Sequence, residues 1–83
     1  MGSPEYIGQT ARIKRLAQRE CPAFTVVLDE SEMNIIRFQL EDTTQQKRSG
    51  HSLAARPEAI KGKDDDRLKK LLHLMGEQIK RQG

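Results

Sequence analysis

The chain has 83 residues, of which 33% are charged, with a net charge of +3, one cysteine and no tryptophan. This length predicts a single small domain, residues 1–83, and Leu, Ile, Val and Phe make up about 22% of it, just above the level at which disorder is the default. A lone Cys21 excludes an internal disulfide, and no apolar run approaches the ~18 residues that span a bilayer. With no hydrophobic leader in view, these features predict a reducing, cytoplasmic setting and no membrane partner.

Ser3-Pro4-Glu5 has the form of a helix start: a capping serine, proline in the first position, then an acid. Gly8 interrupts that start, and Thr10 is a second cap candidate. From Thr10 onward, Ile13, Leu16, Ala17 and Cys21 share one helical face. Arg12, Arg15 and Arg19 fall on another, with Lys14 nearby. Pro22 ends the helix at or before Cys21. The arginine stripe has two readings, a solvated face opposite the core or a face that meets phosphates. Cys21 has no second cysteine and no histidine at ligand spacing, so it reads as a core thiol.

Phe24-Thr25-Val26-Val27-Leu28 and Ile35-Ile36-Arg37-Phe38-Gln39-Leu40 read as two strands joined through Asp29-Glu30-Ser31-Glu32-Met33-Asn34. Phe24, Val26 and Leu28 alternate with polar or outward positions, as do Ile36, Phe38 and Leu40. Setting Val26 opposite Phe38 pairs Phe24 with Leu40 and Leu28 with Ile36. Six large apolar side chains then share one face, and a one-residue slip would scatter them. A two-stranded hairpin alone is marginal in water, so helices must cover that face.

After Leu40 the alternation stops. Residues 43–63 form either a basic polar loop or a third strand. In the strand reading, the second strand runs to Lys47, turns at Ser49-Gly50 and returns through His51 to Arg56, adding Leu53 and Ala55 to the apolar face. Pro57 stops any strand there and opens a helical turn, Pro57-Glu58-Ala59-Ile60. Gly62 lets the chain change direction.

The last element is the clearest. Asp64-Asp65-Asp66 puts three acids at a helix start, where they cap it and complement its dipole. Leu68, Leu71, Leu72, Met75 and Ile79 follow as one apolar stripe. Leu74 widens the stripe, Gly76 weakens the helix or admits a close neighbour, and Gly83 ends the chain.

No phosphate-binding glycine loop, no nucleophile elbow and no zinc-binding helix motif is present. Ser49 and Ser52 flank His51 without a third group to orient the imidazole. The expectation is therefore no catalytic residue, no metal, no cofactor and no small-molecule substrate. The helix–strand–strand–helix order is similar in outline only to double-stranded-RNA-binding domains. The last helix of those domains starts basic, whereas this one starts with three aspartates, so the chain is not assigned to that family.

The predicted fold is α+β: an N-terminal helix, an antiparallel hairpin of two or three strands, and a long C-terminal helix. Two function classes stay open. One is a non-enzymatic protein that binds nucleic acid through Arg12, Lys14, Arg15 and Arg19 together with Lys47, Arg48, Arg56, Lys61 and Lys63. The other is a protein–protein module, an adaptor, inhibitor or small regulator, that uses the strand edge and the last helix. The wide stripe also predicts a homodimer built on Leu74, Gly76, Gln78 and Ile79. Its monomeric alternative folds Tyr6-Ile7 back over Leu74 and Ile79.

Overall fold

The computed structural model describes residues 4–32, 34–49 and 52–82. Expectations that rest on Ser3, Met33, Gly50, His51 and Gly83 fall outside those residues. The rest fold as α1 (Pro4–Glu20), β1 (Thr25–Asp29), β2 (Ile36–Asp42), β3 (Lys47–Arg48), β4 (Leu53–Ala55), α2 (Pro57–Lys61) and α3 (Asp65–Arg81). The α+β order expected from the sequence is the one observed, with the third-strand reading of residues 43–63 realised in two short pieces.

Helix α1 does not break at Gly8. It runs unbroken from Pro4, and Thr10 is buried inside it rather than capping it, with its hydroxyl donating to the Ile7 carbonyl at 3.0 Å. Gly8 faces open space, so its only penalty is the entropic one of glycine in a helix, about 1 kcal/mol, which packing at Thr10, Ile13, Leu16 and Ala17 outweighs. The helix ends at Glu20, just before Cys21-Pro22.

The hairpin keeps its expected faces in a different register. Val26 lies opposite Leu40 and Leu28 opposite Phe38, two residues from the expected pairing. A shift of two leaves every side chain on the same face, because the strand period is two. Phe24 precedes the strand instead of pairing with Leu40; its N–H donates to the Cys21 carbonyl at 3.0 Å. The connection after Asp29 starts with an Asx turn, in which the Ser31 N–H donates to Asp29 Oδ1 at 2.9 Å. Asn34, at φ 62°, takes the left-handed conformation that asparagine tolerates well.

The second reversal lies at residues 43–46, not at Ser49-Gly50. Asp42 Oδ1 accepts from the Thr44 N–H and hydroxyl at 3.0 and 2.6 Å and from the Gln45 N–H at 3.3 Å, and Gln46 turns left-handed at φ 56°. The chain then returns along β2 twice. β3 pairs Lys47 with Asp42 and Arg48 with Glu41, and β4 pairs Leu53 with Phe38 and Ala55 with Ile36. Between these pairs β2 advances three positions and the returning chain five, so the two ladders are offset by two residues. Ser49 closes the irregularity from inside: its N–H donates to the Leu40 carbonyl at 2.9 Å and its Oγ accepts from the Leu40 N–H at 3.2 Å.

Both long helices lie on one face of the sheet. They run parallel, since residue 12 bonds residue 65 and residue 20 bonds residue 73, the same offset of 53 each time. α3 starts as expected, with Asp64 Oδ1 accepting from the Arg67 N–H at 2.9 Å. Ile13, Leu16, Ile36, Phe38, Leu40, Ile60, Leu68, Leu72, Met75 and Ile79 form one continuous core. Val26 and Leu28 of β1, and Leu53 and Ala55 of β4, pack against its margins, where they stay half-buried.

Candidate functional site

The expected basic residues do not converge on one surface. Arg12 is built into the fold. Its Nε and Nη2 donate to Asp65 Oδ1 at 2.9 and 2.7 Å, and Nη2 also donates to the Lys63 carbonyl at 2.7 Å. Nη1 donates to Gln9 Oε1 and to the Ile60 carbonyl, both at 3.1 Å. All five N–H groups are thereby engaged. The side chain, 19% exposed, ties α1 to the end of α2 and to the start of α3.

Arg15 and Arg19 are the exposed members of the stripe, and no ion pair holds either among the described residues. With Arg12, Leu16 and Asp65 they line a shallow groove of about 230 Å³. Lys14 lies well off that stripe, because successive helical residues are turned by about 100°. Arg48 belongs to the far side of the molecule. It lies opposite Glu41 on the sheet face turned away from the helices and pairs with that carboxylate at 3.4 Å. Lys47 lies opposite Asp42 in the same short ladder. Around α2, Arg56 is exposed at the N-cap and Lys61 reaches Glu5 at 4.0 Å, while Lys63 is half-buried. The acids Asp64, Asp65 and Asp66 border this last group, so the surface there is mixed rather than basic.

The expected dimer residues also separate. Ile79 is 3% exposed and belongs to the core of its own chain. Gly76 does admit a close neighbour, but that neighbour is Phe24 of the same chain: a Cβ at Gly76 would stand 3.0 Å from the Phe24 ring. Gln78 is half-buried. Only Leu74, 60% exposed, presents an apolar surface outward from α3. The fold-back alternative is not what covers it, because Tyr6 and Ile7 are part of α1 and Ile7 is itself 60% exposed.

Cys21, His73 and Glu20 border one groove of about 240 Å³ between the end of α1 and α3. They do not form a nucleophilic site. Burial, then the Glu20 carboxylate, push the Cys21 thiol above its ordinary range, with Lys80 opposing more weakly. The thiol points at the Leu72 carbonyl, 3.8 Å away, and His73 Nε2 is 3.1 Å from Glu20 Oε1. Among the described residues, no group of three or more His, Cys, Asp or Glu side chains could hold a metal ion, and no helix is long and apolar enough to cross a membrane.

The most distinctive surface is the sheet edge. β2 is paired on both sides, with β1 along one edge and β3 and β4 along the other. The β3/β4 edge comes in pieces of two and three residues, and short edge strands are a usual way to blunt an edge. β1 is continuous over five residues, Thr25-Val26-Val27-Leu28-Asp29, and pairs only with β2 among the described strands. It has no proline, no lysine and no bulge. Next to it, on the sheet face away from the helices, lies a depression of about 330 Å³ that includes Val27, Asp29, Arg37 and Gln39. The arginine charges there are already answered, Arg37 by Glu32 at 2.6 Å and Arg48 by Glu41. No family model, no curated protein and no solved structure matches this chain.

Proposed function

We propose that this chain is a non-enzymatic interaction module that takes up an extended segment of polypeptide along the outer edge of β1. The observation that carries this reading is the continuous β1, paired only with β2 among the described strands, beside an opposite edge broken into short pieces. Strand addition draws affinity from the free backbone N–H and C=O groups, and specificity from side chains that alternate above and below the sheet. Val26 and Leu28 offer half-covered apolar contacts on the helix side, and Val27 offers one on the other. A reducing, cytoplasmic setting goes with this reading, since Cys21 is a buried free thiol.

A nucleic-acid role is the second reading, and one observation favours it: Arg15 and Arg19 are exposed, form no ion pair among the described residues, and line one groove. It rests on fewer cations than the sequence suggested, because Arg12 is engaged internally and Arg48 lies on the opposite layer.

A pull-down from native lysate separates the two, with wild type, Val27→Lys, and the double variant Arg15→Glu with Arg19→Glu as baits. Strand capture predicts partners that survive nuclease and moderate salt and are lost with Val27→Lys. Nuclease-sensitive retention that collapses with salt and with the double charge reversal overturns it in favour of nucleic acid, because phosphate contacts release counterions.

A further inference from the structure

We infer that the segment taken up by β1 is β1 of a second copy of this chain, paired antiparallel about a two-fold axis at Val27. This rests on the strand-capture reading and adds the identity of the occupant. The argument begins with self-complementarity. Centring the pair on Val27 sets Thr25 of each copy opposite Asp29 of the other, a hydroxyl donor against a carboxylate. It sets Val26 of each copy beside Leu28 of the other, and Val27 beside Val27. All five residues of the strand find a partner and no like charges face each other.

Neighbouring registers are worse for identifiable reasons. A one-residue slip puts inward Val26 level with outward Val27, which turns one copy over and places its helices on the opposite side of the joint sheet. A two-residue slip toward the turn brings Val26 against Glu30. The opposite slip leaves Asp29 against Ala23, which lies outside the strand.

The burial pattern calls for the same occupant. On β2 the inward residues Ile36, Phe38 and Leu40 are 0–1% exposed, whereas Val26 and Leu28 on β1 remain half-exposed although they share that face. A second copy in this register supplies each with the other as neighbour. The acid that ends β1 does not oppose the pairing. The two Asp29 residues lie four strand positions apart across the axis, about 13 Å at ~3.3 Å per residue, which is beyond the screening length at physiological salt. Pairing is isologous, so it closes at two copies and consumes the open edge of each.

Sedimentation of the wild-type chain across the micromolar to millimolar range tests this. The expected mass rises with concentration toward twice 9.5 kDa. A mass that stays at 9.5 kDa throughout overturns the inference. Val27→Lys, whose side chain is half-buried on the outer face, is expected to keep its circular dichroism and remain monomeric; a folded Val27→Lys dimer overturns the inference. Leu74→Glu is expected to leave the dimer intact, and loss of the dimer there would move the interface to α3.

The register has its own readout. Val27→Cys is expected to cross-link to itself on oxidation. Thr25→Cys is expected to cross-link with Asp29→Cys when the two are mixed, but not with itself, and the reverse pattern overturns the stated axis. A wild type that is monomeric, yet loses its nuclease-resistant partners on Val27→Lys, ends self-pairing while keeping strand capture.

Discussion

Arg12 and Asp65 are 53 positions apart in sequence, and Nε and Nη2 of the one converge on Oδ1 of the other at 2.9 and 2.7 Å. The same guanidinium caps the carbonyls of Ile60 and Lys63, so one side chain joins three helices. Asp65 is 61% exposed, which weakens the ion pair by screening; the two backbone carbonyls are the firmer part of the anchorage. Arg12→Ala is expected to destabilise the chain by about 1.5–3 kcal/mol in urea unfolding. Arg15→Ala on the same stripe should stay within about 0.5 kcal/mol. Equal effects would mean that the Arg12 contacts do not contribute to stability.

Ser49 stands in for a missing backbone partner. Its Oγ accepts from the buried Leu40 N–H between the β3 and β4 ladders. Ser49→Ala leaves that N–H without this acceptor, at an expected cost of about 1–3 kcal/mol. Amide exchange at Leu40 should accelerate more than exchange at Phe38, since Ser49 serves Leu40 directly. Unchanged protection at Leu40 would show that another acceptor replaces the hydroxyl.

Gly76 weighs helix propensity against packing. Alanine there would gain about 1 kcal/mol of intrinsic helix stability, but its Cβ meets the Phe24 ring at 3.0 Å. Phe24 is only half-buried, so its ring has room to give. Gly76→Ala is expected to recover less than that gain, and Gly76→Leu to destabilise by about 1–3 kcal/mol through overpacking. A stabilised Gly76→Leu in thermal unfolding would mean that Phe24 is not held against α3.

Two turn carboxylates give stability a pH dependence. The Thr44 hydrogen bonds hold Asp42, and the Ser31 hydrogen bonds hold Asp29, below the ordinary value of 3.8. A carboxylate lowered on folding stabilises the native state above its unfolded pKa, and that contribution is lost as pH falls through the folded value. Urea midpoints should therefore be level above about pH 5 and fall below about pH 4. Asp42→Asn should flatten part of that fall. An acid limb of the same size in Asp42→Asn would assign it to other groups.

Much of the fold is legible in local pattern. The apolar stripe of α3, its aspartate cap, the stop before Pro22 and the two faces of the hairpin all follow from periodicity and cap chemistry, which act over a few residues. The hairpin faces survive a register error because a shift of two leaves side-chain direction unchanged. The second reversal departs from the Ser49-Gly50 signal for a physical reason as well. Gly50 offers the conventional turn signal, while the turn that forms relies on Asp42 as an acceptor and on Gln46 in a left-handed conformation that glutamine does not advertise.

What the sequence by itself determined is the two long helices and the hairpin between them, their order and which face of each is apolar. Tertiary structure alone decided what those faces and charges are used for. Arg12, Arg15 and Arg19 are equivalent as a stripe, yet only Arg12 is placed beside the carbonyls of Ile60 and Lys63, acceptors that every residue carries and no sequence pattern marks. Gly76 and Ile79 read as available surface until Phe24 and the sheet occupy them. The open edge is likewise a property of strand order. Nothing within Thr25–Asp29 says whether a strand will pair beyond it; that depends on β3 and β4 both returning along the other side of β2.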